Sequence, residues 1–205
     1  MSYSALYPWK MFVTLEGPEG AGKSTLARGL ADRLRAEGRT VVVTREPGAG
    51  ELGASIRQIL LHGGDMPSMS ELFLFLADRA NHVETLIRPA LERGETVICD
   101  RFADSTVVYQ GFGRGLDLGM LRQLNRLATS GLEPDVTLLL DLPVEIGLAR
   151  VTEKDRMDQM VESFHQKVRD GFLTEAALQP SRWRLIDATD SADKVLDAAW
   201  RALSS

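Results

Sequence analysis

Five short apolar runs, several rich in β-branched residues, punctuate the chain at Met11–Glu16, Thr40–Thr44, Thr96–Asp100, Val136–Asp141 and, more weakly, Trp183–Asp187. Runs of this length without polar alternation suit strands buried on both faces. Between them the apolar positions take up helical spacing, over Lys23–Glu37, about Leu52–Leu61, Met69–Arg93, Leu118–Ser130, Pro143–Thr152, Asp158–Leu178 and Ala192–Leu203. Ser68 and Glu71 read as a capping box that opens the third helix, and Pro89 should break or kink its far end. Strands alternating with helices predict an α/β doubly wound fold, a five-stranded parallel sheet with helices on both faces. In such sheets ligands collect beyond the carboxyl ends of the strands, which makes the residues just after each run the informative ones.

Composition narrows the possibilities. With 205 residues and 44% hydrophobic content, the chain suits one domain over residues 11–205, preceded by an N-terminal extension, residues 1–10, to which no function is assigned. The formal net charge is -5 with both signs interspersed, so there is no electrostatic footprint for a nucleic acid and any phosphate binding must be local. Cys99 has no partner cysteine and lies in an apolar run, a core position that fits a reducing compartment. No run has the length of a signal peptide or a membrane span, so a soluble, cytoplasmic protein is expected.

Directly after the first strand comes Gly17-Pro18-Glu19-Gly20-Ala21-Gly22-Lys23-Ser24, followed by Thr25 and a helix. This is the P-loop pattern in its proper strand–turn–helix setting. Glycines let successive backbone N–H groups turn toward phosphate oxygens, the helix adds its positive end, Lys23 bridges the outer phosphates and Ser24 is placed to ligate magnesium. Residues 17–25 therefore read as the site of a nucleoside triphosphate, on a P-loop NTPase-type sheet. The second strand ends in Arg45-Glu46-Pro47-Gly48 and the third in Asp100-Arg101-Phe102, so two arginines face the same crevice. Two guanidiniums imply a second anion, as a nucleoside monophosphate would supply.

With these motifs the chain resembles the thymidylate kinase family. The likeness runs through Gly17–Ser24, Arg45–Gly48, the stretch Asp100–Gln110, Gly111–Gly115, Phe164–Leu173 and Ile186–Ala188, nearly the whole chain after Lys10. It implies phosphorylation of dTMP to dTDP by ATP with Mg2+. It implies that Glu19 contacts the sugar 3'-hydroxyl and that the ring of Tyr109 excludes a 2'-hydroxyl. Phe75 would stack on thymine and Arg79, four residues on and on the same helix face, would reach a base carbonyl, with Ser105, Thr106 and Gln110 completing the acceptor site. The acceptor oxygen belongs to an ionised phosphate, so alignment and charge neutralisation replace a general base. Lys23 should track the transferring group, Arg45 and Arg101 should position the acceptor, and Ser24 with Asp100 should organise Mg2+ directly or through water.

Position 20 is glycine, where the eukaryotic type carries arginine, so the chain resembles the bacterial type, which draws its cation from a lid. That lid falls at about residues 150–158 and offers Arg150, Lys154 and Arg156, of which Arg156 is the preferred contact; Asp158 stands where the family usually has glutamate. His62, His82 and His165 have no metal-ligand spacing. The resemblance also implies a homodimer. Three other readings stay open: a nucleoside monophosphate kinase for another base, a deoxynucleoside kinase with a neutral acceptor, for which Glu46 would serve as base, and a nucleotide-binding switch without an acceptor.

Overall fold

All five apolar runs are strands in the computed structural model, which describes residues 10–152 and 155–203. They are β1 (Met11–Glu16), β2 (Val41–Arg45), β3 (Thr96–Asp100), β4 (Val136–Asp141) and β5 (Trp183–Asp187), in the order β2-β3-β1-β4-β5 with every pair parallel. β2 lies one residue later than its apolar run suggests, so Arg45 is its last residue and projects from the strand end.

Strand alternation divides the side chains between two cores. Val13, Leu15, Ile98, Leu138 and Leu140 pack with Leu26, Leu30 and Leu34 of α1 (Lys23–Ala36) and with Val195 and Ala199 of α9 (Ala192–Leu203). On the opposite face Phe12, Val97 and Cys99 meet Val83, Ile87 and Ala90, while Leu139 joins Val108, Phe164, Val168 and Phe172. Helices thus cover both faces. The outer strands are the exception to burial on both sides: Val43 of β2 is 39% exposed and Leu185 of β5 61%. Both strands are edges of the sheet.

The remaining helices are α2 (Gly50–His62), α3 (Ser68–His82), α4 (Arg88–Glu92), α5 (Ala103–Thr106), α6 (Leu118–Ala128), α7 (Val144–Arg150) and α8 (Glu162–Leu178). Four details differ from the sequence reading. Pro67, not Ser68, occupies the N-cap position of α3, so there is no capping box, and Glu71 turns inward, 1% exposed. Pro89 does not break the third helix: a π-helical stretch, Val83–Ile87, joins α3 to α4, with the Arg88 N–H reaching the Val83 carbonyl, and Pro89 falls in the first turn of α4, where its missing N–H needs no partner. Residues 103–113, for which no helix was expected, form α5 and a π-helical stretch, Val107–Gly113. α8 starts at Glu162 rather than Asp158, because Asp158 and Asp155 close a turn through bonds to each other's backbone N–H. No helix among the described residues is long and apolar enough to cross a membrane.

Candidate active site

The carboxyl ends of β1, β2 and β3 open onto a cavity of about 340 Å³. Its walls include residues 19–25, Arg45, Glu46, Arg57, Phe75, Arg79, Asp100, Arg101, Ser105, Thr106, Tyr109 and Gln110. The P-loop turns on left-handed glycines. At Gly20, φ is 69° and a Cβ would lie 1.9 Å from the Gly147 carbonyl oxygen, so α7 rests directly on the loop backbone. Gly22, with φ 88°, starts α1. The Lys23 ammonium is buried and donates to the carbonyls of Gly17 (3.0 Å) and Pro18 (2.8 Å), the route by which those two residues belong to the site. Burial, helped by the nearby Arg101 charge, lowers the Lys23 pKa to about 8 against the opposing pull of Glu19, Asp100 and Glu16. Ser24 Oγ donates to Asp100 Oδ2 at 2.5 Å.

Arg101 is the conformational oddity of the site. Its φ of 68° is left-handed, a costly state for a residue with a side chain, which persists only where neighbours impose it. Here its own N–H donates to the Leu15 carbonyl (3.0 Å), and the next N–H, of Phe102, donates to Glu16 Oε1 (2.8 Å). Glu16 Oε2 accepts from Ser105 Oγ at 2.6 Å. This carboxyl is completely buried, and burial, reinforced by Asp104, raises its pKa to about 7 despite the hydrogen bonds and Arg101. The Arg101 guanidinium donates to Glu19 Oε2 (2.7 Å) and the Gly17 carbonyl (3.2 Å), and lies 4.9 Å over the Tyr109 ring. Tyr109 in turn donates its hydroxyl to Glu19 Oε1 at 2.7 Å. Burial alone would raise the Glu19 pKa, but Arg101, Lys23 and the Tyr109 hydroxyl outweigh it and hold the group at about 2.

A second arginine, Arg79, is 1% exposed and almost fully committed. Its Nε donates to Glu46 Oε2 (2.9 Å), Nη1 to Thr106 Oγ1 (2.8 Å) and Asn125 Oδ1 (2.7 Å), and Nη2 to the Phe102 carbonyl (3.0 Å). Four of its five N–H groups are thus used, and one Nη2 proton remains. The other Glu46 oxygen lies 2.9 Å from His82 Nδ1, so neither oxygen is available as a base. Phe75 shares the helix face of Arg79 and also lines the cavity.

Arg45 and Arg57 differ from these. Both line the cavity, and neither has a carboxylate partner among the described residues. Arg57 donates one bond to the Pro47 carbonyl (2.9 Å), and burial together with the adjacent Arg45 charge lowers its pKa. Neither is ion-paired, Asp155 and Asp100 acting on Arg57 only from beyond ion-pair distance, so the two neighbouring cations make a candidate anion site. Arg57 escaped the sequence reading, although α2 buries Gly53, Ile56 and Leu60, a periodicity that sets Arg57 on the flank of its inward face.

Of the three basic residues of segment 150–158, the two that are described, Arg150 and Arg156, do not line the cavity. Arg150 donates to the carbonyls of Ala188 (2.9 Å) and Thr189 (3.2 Å), after β5. Arg156 donates to the Leu60 carbonyl (2.9 Å) and to Glu71 Oε2 (2.5 Å), and the cavity wall is made by its neighbours Asp155 and Met157. Lys154 lies outside the described residues.

The thymidylate kinase family model matches residues 15–199. The chain is 52% identical to a thymidylate kinase of Synechococcus sp. (strain JA-2-3B'a(2-13)) over 190 residues, 93% of this chain and 92% of that one. It is 54% identical to one from Desulfovibrio desulfuricans (strain ATCC 27774 / DSM 6949 / MB) over 198 residues, 91% of each chain. The crystal structure of thymidylate kinase from Ehrlichia chaffeensis superposes with a TM-score of 0.81 at 35% identity, covering 94% of this chain and 98% of that one.

Proposed function

The chain belongs to the thymidylate kinase family and phosphorylates dTMP to dTDP with ATP; we propose that the cleft divides this work between the P-loop and an acceptor clamp of Arg45 and Arg57. The observation that carries this division is the pair of guanidiniums, neither of them ion-paired, on the cavity wall beside the triphosphate loop. Lys23, now bonded only to loop carbonyls, exchanges those bonds for phosphate oxygens. Arg101, held by Glu19 at the junction of the two subsites, faces both anions. The incoming oxygen is already ionised, so the residues align reactants and offset charge rather than remove a proton.

The donor set at the loop mouth, Ser24 Oγ and the Asp100 carboxylate, is of hard oxygens and fits Mg2+. Such a cation arrives with ATP and neutralises phosphate charge there. Glu19 and Tyr109 form the deoxyribose wall. Phe75 stacks on the base, the remaining Arg79 proton and the Thr106 hydroxyl meet its carbonyl edge, and Gln110 meets N3. Arg156 anchors the base of the lid on Glu71. Glu46 is consumed by Arg79 and His82, which disfavours a neutral hydroxyl acceptor.

Leu52 and Ile59 of α2 are 51% and 50% exposed, and Phe73 of the adjoining α3 56%. A second copy of the chain covers this apolar face in a cytoplasmic homodimer. The activity is tested by coupled ADP release with ATP and Mg2+, comparing dTMP, dUMP, dCMP, AMP and deoxythymidine. Strong preference for dTMP is expected; preference for deoxythymidine would overturn the acceptor clamp.

A further inference from the structure

Glu71 has no part in the assignments above beyond holding Arg156, yet it is one of the most heavily bonded carboxyls in the molecule. It is 1% exposed. Its Oε1 accepts from Gln110 Nε2 (2.9 Å) and Arg114 Nε (3.3 Å), and its Oε2 from Arg114 Nη2 (3.0 Å) and Arg156 Nη2 (2.5 Å). Burial acts to raise its pKa, but the bonds from Gln110 and the two guanidiniums prevail and lower it. An ionised carboxylate only accepts hydrogen bonds, so Gln110 must turn its NH2 toward Glu71. The amide orientation is therefore dictated by chemistry. Gln110, itself 1% exposed, lines the cavity, and its carbonyl oxygen is the corner left for a ligand.

We propose that Glu71 is the positioning residue that fixes the edge Gln110 presents to the pyrimidine, so that selection of thymine over cytosine depends on a carboxylate that never touches the base. Thymine carries a proton on N3, which an amide oxygen accepts. Cytosine offers a bare N3 there, leaving two acceptors face to face. Its exocyclic NH2 meets the remaining Arg79 proton with a second mismatch. The inference rests on the reading that Gln110 meets N3 of the base.

The test is kcat/KM for dTMP and for dCMP in wild type, Glu71→Gln, Glu71→Asp, Gln110→Met and the Glu71→Gln/Gln110→Met double variant, each with its thermal transition recorded. In E71Q the amide oxygen is retained by the two guanidiniums on the Oε2 side. Its NH2 then faces Gln110, which flips and shows a donor to the cleft. The dTMP:dCMP ratio should fall roughly 10- to 100-fold, the scale of one unpaired polar group. Q110M should lower the ratio similarly, and the double variant should lower it no further. E71D keeps an ionised acceptor and should keep a ratio close to wild type. A preserved ratio in E71Q alongside a lost one in Q110M would overturn the role of Glu71 and leave the base site standing. A ratio lost equally in E71D and E71Q, or an additional fall in the double variant, would overturn it too. A preserved ratio in Q110M would instead remove the base-site reading itself.

Discussion

Replacing Glu16 by Gln should abolish a pH dependence of stability that the wild type carries. The amide can keep both bonds, its oxygen accepting from the Phe102 N–H and its NH2 donating to Ser105 Oγ, so the change isolates the charge. In the folded wild type the carboxyl titrates at about 7 rather than 4.5, chiefly because it is buried. A raised acid holds its proton in the folded chain after the unfolded chain has released its own. The stability it contributes is therefore full below pH 4.5 and is lost as pH rises through about 7. At about 1.4 kcal/mol per pH unit, that gap amounts to about 3 kcal/mol. Other groups titrate in the same window, among them Asp78, raised to about 6 by burial, so the diagnostic quantity is the difference between variant and wild type. Urea unfolding followed by tryptophan fluorescence, for which buried Trp183 is a reporter, gives that difference at pH 4.5, 6, 7 and 8. The variant should gain about 3 kcal/mol on the wild type across the series. Parallel curves would refute the reasoning, since they would mean that Glu16 ionises in the folded protein as readily as in the unfolded.

Arg57→Ala should reduce kcat/KM for dTMP roughly 10- to 100-fold, from a charge-assisted contact of about 1.5–3 kcal/mol, and leave the KM for ATP near wild type; initial rates with each substrate varied decide, and an equal rise in the ATP KM would put Arg57 on the donor side. Glu46→Ala leaves Arg79 buried without its carboxylate and should cost about 3–5 kcal/mol in urea unfolding. A loss below about 1 kcal/mol would show that Thr106, Asn125 and the Phe102 carbonyl suffice. Phe73→Asp should halve the mass measured by light scattering after size exclusion, and an unchanged mass would move the dimer contact off α3.

The parts of the fold legible in the sequence are those fixed by local pattern. Apolar runs marked the strands because central strands of a parallel sheet have no polar face, and the P-loop announced itself because its backbone turns demand glycine. Pattern failed where tertiary contacts decide. Residues 103–113 form a four-residue helix and a π-helical stretch, too short and too uniformly buried to show a 3.6-residue period. Ser68 and Glu71 satisfy the spacing of a capping box, but Pro67 takes the cap position, and Glu71 goes to arginines far along the chain at 114 and 156. The arginines of the cavity wall were partly visible: Arg45 and Arg101 stand at strand ends, whereas Arg57 sits mid-helix, where a cation is ordinarily solvated surface. Which arginines remain free was not readable at all, because Glu19, Glu46 and Glu71 take their partners across the fold.

The contact between Gly20 and Gly147 constrains how this enzyme could change. A Cβ at position 20 would meet the Gly147 carbonyl oxygen at 1.9 Å, and a Cβ at 147 would meet the Glu19 carbonyl oxygen at 2.3 Å, so each glycine forbids a side chain on the other's account. An arginine at position 20 therefore requires α7 to withdraw first. No single codon change achieves that. A loop with a side chain at position 20 is separated from this one by a backbone displacement, and a lineage or a designer passing from one to the other must cross an intermediate in which α7 has lost its seat on the nucleotide loop.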